Sequence, residues 1–205
     1  MISSAHKFIF LHVPKTAGNA VQTYLLPFSD DQKVVHGHQD GIERFNVRGA
    51  ITPNKHAMLQ AYADRLGPRL ADFKVILPIR DPLDRALSLY FSPFRGDGRE
   101  AGFVPAFSLE KFSEMIRAIP PMTDYLRVGG AVRQPDFLLR FESLAADLAT
   151  VALHFGLPPP ALPVLNRSLD QGGVREKLKR DPAVIGAVRE RFSEDYALFR
   201  LGPPA

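Results

Sequence analysis

Two short runs that are apolar on both faces most limit what this chain can fold into. Lys7–Val13, KFIFLHV, carries Phe8, Ile9, Phe10, Leu11 and Val13, and Phe73–Arg80 reads FKVILPIR. Runs of this kind are strands of a parallel sheet covered by helices on both sides. A helix is expected after each. The first spans Gly18 to Leu26 and stops before Pro27; the second is capped by Asp81, with Pro82 in its first position and a stripe of Leu83, Ala86, Leu87, Tyr90 and Phe91. A third strand, within Asp136–Leu144, turns into a helix ending at Gly156. Further helices are expected from an Asn54 cap to Gly67, from Ser108, and from Asp181 to about Phe199. Strands alternating with helices predict a three-layer α/β fold with a central parallel sheet flanked by helices.

With 205 residues, 45% of them hydrophobic, the chain supports one well-buried core, and it shows neither a repeat nor a linker. One domain over residues 1–205 is therefore expected. The net charge of +4 suits an anionic ligand but is too small and too dispersed for nucleic acid. There is no cysteine, hence no thiolate chemistry. Neither a leader-like segment nor a membrane-length apolar run is present, so a soluble, cytoplasmic protein is expected, with no membrane partner.

The turn after the first strand, "PKTAGNA", opens a helix. Strand-to-helix turns place backbone N–H groups and a positive helix end at the carboxyl edge of a sheet. Lys15 adds a full charge, and Gly18 is expected to let the backbone approach a ligand. The triphosphate loop G-x-x-x-x-G-K-S/T is absent. The second strand ends in Arg80, a residue suited to phosphate, with Ser88 two helical turns further on. Taken alone, Lys15 is a solvated lysine in a surface turn, Arg80 half of a surface ion pair, and Ser88 an exposed helix residue. Taken together they are two phosphate grips on adjacent strand ends, fit for a nucleotide with phosphates at both ends of its sugar.

"FLHVPKTAGNA" followed by "RDPLDRALSLYF" resembles the sulfotransferase superfamily, on the carbohydrate branch of the heparan sulfate 2-O-sulfotransferases and in the manner of its small bacterial members. "LLRFESL", "LPVLNRS" and "DYALFRLG" extend the resemblance over most of the chain. It implies a P-loop-like fold and 3′-phosphoadenosine 5′-phosphosulfate (PAPS) as donor, with no metal. It also implies that Lys15, Thr16, Ala17, Gly18, Asn19 and Ala20 hold the 5′-phosphosulfate and that Arg80 and Ser88 hold the 3′-phosphate. Hydroxyl residues usual in the family are replaced here by Asn19 and Ala20. Arg167 or Arg175, in the basic segment Asn166–Arg180, is expected by resemblance to reach the adenine or the 3′-phosphate.

Transfer to a hydroxyl needs a base, and Lys15 is expected to stabilise the leaving phosphate. "VVHGHQDG" resembles the family's HGH stretch, whose second histidine is the base, which points to His38; His36 reads as structural. His56, expected in the first turn of the Asn54 helix, is the second candidate, kept neutral there by the helix end. Asp40 or Glu43 is a further alternative. The loop Ser92–Pro105, with Arg95 and Arg99, is a candidate acceptor wall. The acceptor is expected to carry a hydroxyl, a sugar being one option. The competing readings are a P-loop-like small-molecule or nucleoside kinase and a nucleotide-binding protein without catalysis.

Overall fold

The structure is a computed structural model that describes residues 1–34, 45–92, 106–162 and 173–202. These divide into two compact units, Met1–Ile79 with Asp124–Leu165, and Arg80–Thr123 with Asn166–Ala205.

The first unit holds the sheet. Its strands are β1 (Ile2–Ser3) and β2 (Phe8–Phe10), with the ribbon β3 (Gln32–Val34) and β4 (Asn46–Arg48) beside them in sequence. β5 (Lys74–Ile79) follows, then the hairpin β6 (Arg127–Val128) and β7 (Ala131–Val132), and β8 (Phe137–Arg140). The sheet order is β1-β2-β5-β8. β2, β5 and β8 run parallel, Phe10 opposite Ile76 and Leu77 opposite Leu138. The expected parallel sheet is thus present, with one addition: β1 pairs antiparallel on the edge, Ile2 opposite Ile9. Gly129 and Gly130, both at positive φ, make the two-residue turn of the β6–β7 hairpin.

The helices of this unit are α1 (Gly18–Leu25), α2 (Leu59–Leu66) and α5 (Leu144–His154). Phe8, Phe10, Ile76 and Leu139 from one sheet face pack with Val21 and Leu25 of α1 and with Leu148, Val151 and Ala152 of α5. Ile9, Val75 and Leu77, which alternate with them, are equally buried. This double burial is why both strands read as unbroken apolar runs.

The second unit is helical: α3 (Pro82–Tyr90), α4 (Leu109–Ala118), α6 (Val174–Leu178), α7 (Pro182–Arg191) and α8 (Ser193–Phe199). Asp81 caps α3 as expected, accepting from the Asp84 N–H at 2.9 Å, and Ser108 caps α4. Leu83, Leu87, Phe112, Ile116, Val184, Val188 and Phe192 form its core. The buried Asp195 carboxylate accepts from the N–H groups of Met122 and Thr123 at 2.9 and 2.8 Å.

Two helix boundaries differ from expectation. The last helix is broken at Phe192, whose φ of −114° and ψ of 27° separate α7 from α8 while its ring stays in the core. The helix expected to begin at Asn54 begins at Leu59, after an extended Met58. Asn54 caps a local turn instead, its Oδ1 accepting from the His56 N–H at 2.9 Å.

Candidate functional site

β2 and β5 are parallel neighbours, so their carboxyl ends share one edge of the sheet. The chain leaves that edge after β2 through Pro14–Ala17. Lys15 and Ala17 have φ of 70° and 63°, and Thr16 between them is outside the left-handed region. Alternating φ signs turn successive N–H groups toward one side, the arrangement of an anion-binding nest. Left-handed backbone at two residues other than glycine costs about 1–2 kcal/mol each, so the surrounding structure must impose it. Thr16 is one restraint: its buried hydroxyl donates to the Val13 carbonyl at 2.8 Å. Thr16 therefore offers a ligand its backbone N–H and not its side chain. At the start of α1, Ala17 gives no side-chain cap and the first turn holds no acidic residue. The N–H groups and positive end of the helix are thus left for something other than the usual cap. Ala20 is buried, and its N–H donates to the Ala17 carbonyl at 3.0 Å.

The packing gives Gly18 a reason besides the one expected. A Cβ there would lie 2.4 Å from Cδ2 and 2.5 Å from Nε2 of His12. The space is taken by a buried imidazole, and close approach of His12 alone requires glycine. His12 Nδ1 is 2.7 Å from Gln22 Oε1, and Gln22 Nε2 donates to the Phe45 carbonyl at 3.3 Å. An amide oxygen can only accept, so His12 carries its proton on Nδ1. Burial, with the nearby His56 and Lys55, holds its pKa well below the usual histidine range.

The His12 carbonyl serves a second histidine. His56 Nδ1 is 2.8 Å from that oxygen, and the two rings meet edge to face at 4.9 Å. A carbonyl likewise can only accept, so His56 donates from Nδ1 and Nε2 holds the lone pair. His56 lies in the turn before α2, so the helix end is not what keeps it neutral. Its pKa is lowered chiefly by burial and then by Lys55, against the raising effect of its bond to His12. Lys55 itself is anchored twice. Its N–H donates to Asn46 Oδ1 at 2.9 Å, and its ammonium donates to Asn19 Oδ1 at 2.6 Å in the first turn of α1. The Asn19 amide expected to serve a ligand thus has its oxygen engaged and its NH2 as the donating end.

In the second unit, half-buried Arg80 directly precedes the Asp81 cap of α3, and Ser88 is a buried residue of that helix, 5% exposed, not a solvated one. The Arg175 guanidinium lies over the ring of Phe91, 5.4 Å from its centroid, three residues beyond Ser88. His36, His38, Asp40, Glu43, Arg95, Arg99 and Arg167 lie outside the described residues. Sequence reasoning missed His12, Gln22 and Lys55. The first two read as parts of a strand and a helix, and Lys55 was passed over beside His56, although a lysine next to a candidate base is a legible signal.

The model of the sulfotransferase family matches residues 1–201. No curated protein and no solved structure matches the chain.

Gly18→Ala is expected to destabilise the protein by about 1–3 kcal/mol through overpacking. In a His12→Ala background the same change is expected to cost less, by about 1 kcal/mol or more, because the two sites are in contact; urea unfolding of the four proteins checks this. His12 and His56 also make stability pH-dependent. Both have folded pKa values below the ordinary 6.5, so at mildly acid pH the unfolded chain binds more protons than the folded one. Stability is expected to fall as the pH drops below that value, and His12→Asn to flatten the decline. Chemical unfolding from neutral pH downward reads it.

Proposed function

The chain belongs to the sulfotransferase family, and from that premise we propose that it moves a sulfuryl group from PAPS to an acceptor hydroxyl with His56 as general base. The family is one of sulfuryl-transfer enzymes, which displaces the kinase and non-catalytic readings. The observation that carries the proposal is the 2.8 Å bond between His56 Nδ1 and the His12 carbonyl. It fixes the tautomer, leaving the lone pair on Nε2, in the turn that docks against the start of the Lys15 loop, while burial keeps the ring neutral. Three features support a 5′-phosphosulfate at that loop: the alternating backbone, the uncapped start of α1 and Lys15. Arg80 and buried Ser88, with Arg175 stacked one turn away, suit a 3′-phosphate.

Sulfuryl transfer is an in-line displacement. The acceptor oxygen forms a bond to sulfur as the bond from sulfur to the 5′-phosphate oxygen breaks. The acceptor proton goes to His56 Nε2, and the electron pair of the broken bond stays on the phosphate. Lys15 and the loop N–H groups neutralise the charge that develops there. His56 is preferred to His38 because its tautomer and its depressed pKa both suit a base at neutral pH. The acceptor is placed among hydroxyl-bearing molecules, sugars included, on the resemblance alone. Arg167 is assigned to the adenine end on the same ground.

Lys15→Ala and Arg80→Ala are each expected to weaken binding of the product adenosine 3′,5′-bisphosphate (PAP) by about 10- to 100-fold, as for a lost charge-assisted hydrogen bond. His56→Ala is expected to keep PAP affinity while turnover of PAPS drops by about 10²- to 10⁴-fold. Calorimetry and a labelled-sulfate assay check both. If His38→Ala stops turnover and His56→Ala does not, the base is His38.

A further inference from the structure

The buried face of α1 carries a polar group among apolar ones. Val21 and Leu25 pack into the core of the sheet, and Gln22 beside them is fully buried. A buried amide destabilises unless its donors and acceptors are met, and an apolar side chain would fill the same space. Gln22 engages both ends of its amide. Its Nε2 donates to the Phe45 carbonyl at 3.3 Å, and its Oε1 accepts from His12 Nδ1 at 2.7 Å. A carbonyl can only accept, so the bond to Phe45 decides which end of the amide faces His12. These two partners lead directly to the two supports of the His56 turn. The backbone oxygen of His12 accepts from His56 Nδ1 at 2.8 Å. Asn46, next in the chain after Phe45, accepts through Oδ1 from the Lys55 N–H at 2.9 Å, one residue before His56.

We propose that Gln22 is a positioning residue for the base, holding His12 and Phe45 so that the His56 ring keeps its proton on Nδ1 and its lone pair on Nε2. The inference rests on the reading of His56 as base. In the transfer step the acceptor proton passes to Nε2, and only the tautomer protonated on Nδ1 can take it there. The bond that selects this tautomer runs to a backbone oxygen, so it lasts only while the end of β2 and the His56 turn keep their distance. His12 and Phe45 lie just outside the ranges of β2 and β4, and the Gln22 amide ties both to α1. A fully satisfied buried polar network holds one arrangement where apolar packing admits several. Without the amide, the His12 Nδ1–H and the Phe45 carbonyl lose these bonds, the two supports shift, and the His56 proton distributes over both ring nitrogens.

The test reads the tautomer directly. Proton–nitrogen correlation spectra of isotope-labelled histidine at neutral pH, with His56→Ala to assign the ring, are compared for the wild type, Gln22→Met and Val21→Ala. Wild-type His56 is expected to carry its proton on Nδ1. Gln22→Met, close in shape to glutamine and lacking the amide, is expected to spread the proton over both nitrogens. It is also expected to lower kcat with labelled PAPS about 10- to 100-fold while PAP affinity is kept. Val21→Ala removes apolar packing from the same helix and is expected to lower stability without moving the tautomer or kcat. Gln22→Leu takes its place if Gln22→Met does not fold. An unchanged tautomer in the Gln22 variant, a wild-type ring protonated on Nε2, or an equal shift in Val21→Ala overturns the role of Gln22 and leaves His56→Ala to decide the base. A fall in PAP affinity alongside kcat marks a general disturbance of α1 and overturns that role too. A shifted tautomer with unchanged kcat overturns His56 as the base, and the positioning role with it.

Discussion

The buried imidazole of His12 fills the volume that any side chain at residue 18 would need, and the candidate site is arranged around that contact. Its Nδ1 ties down Gln22 of α1, fixing the helix against the strand that leads into the loop. Its carbonyl orients His56. One residue thus sets the position of a helix end and the tautomer of a second histidine. A strained loop with two left-handed residues needs such a fixed boundary, because nothing in its own sequence makes that backbone cheap.

Electrostatics follow from the same packing. Burial keeps both imidazoles neutral, so the turn carrying His56 can lie near Lys55 without a third positive charge. The start of α1 and Lys55 then form a positive region built largely from backbone and one ammonium. Under the proposed function, amide groups and Lys15 would balance a phosphosulfate, whereas a triphosphate carries more charge in a longer chain of phosphates. On that reading the strand–loop–helix needs no lysine–serine pair of the kind nucleotide loops carry.

The parts of the fold legible in the sequence were those governed by local rules. β2 and β5 announced themselves because burial on both faces leaves no polar alternation, and Asp81-Pro82 and Ser108 because caps are chosen by short-range hydrogen bonds. The start of α2 was misjudged because Asn54 caps a turn as readily as a helix, and the choice was made by Asn46, a strand residue eight positions away in sequence. β1 was missed because two residues on a sheet edge carry no pattern. Lys15, Arg80 and Ser88 stood out by their place in the sequence pattern, whereas the packing of Gly18 against His12 did not. Its partner lies on the opposite side of the loop, and a strand histidine with a buried ring looks no different in sequence from a solvated one.

The central claim is that the first strand–loop–helix holds the 5′ end of a donor with two separate phosphates. A calorimetric titration of the wild-type protein with PAP, run beside ATP with magnesium, tests it most directly. Micromolar binding of PAP with no response to ATP and magnesium is the predicted result. Binding of ATP with magnesium and not of PAP would contradict it.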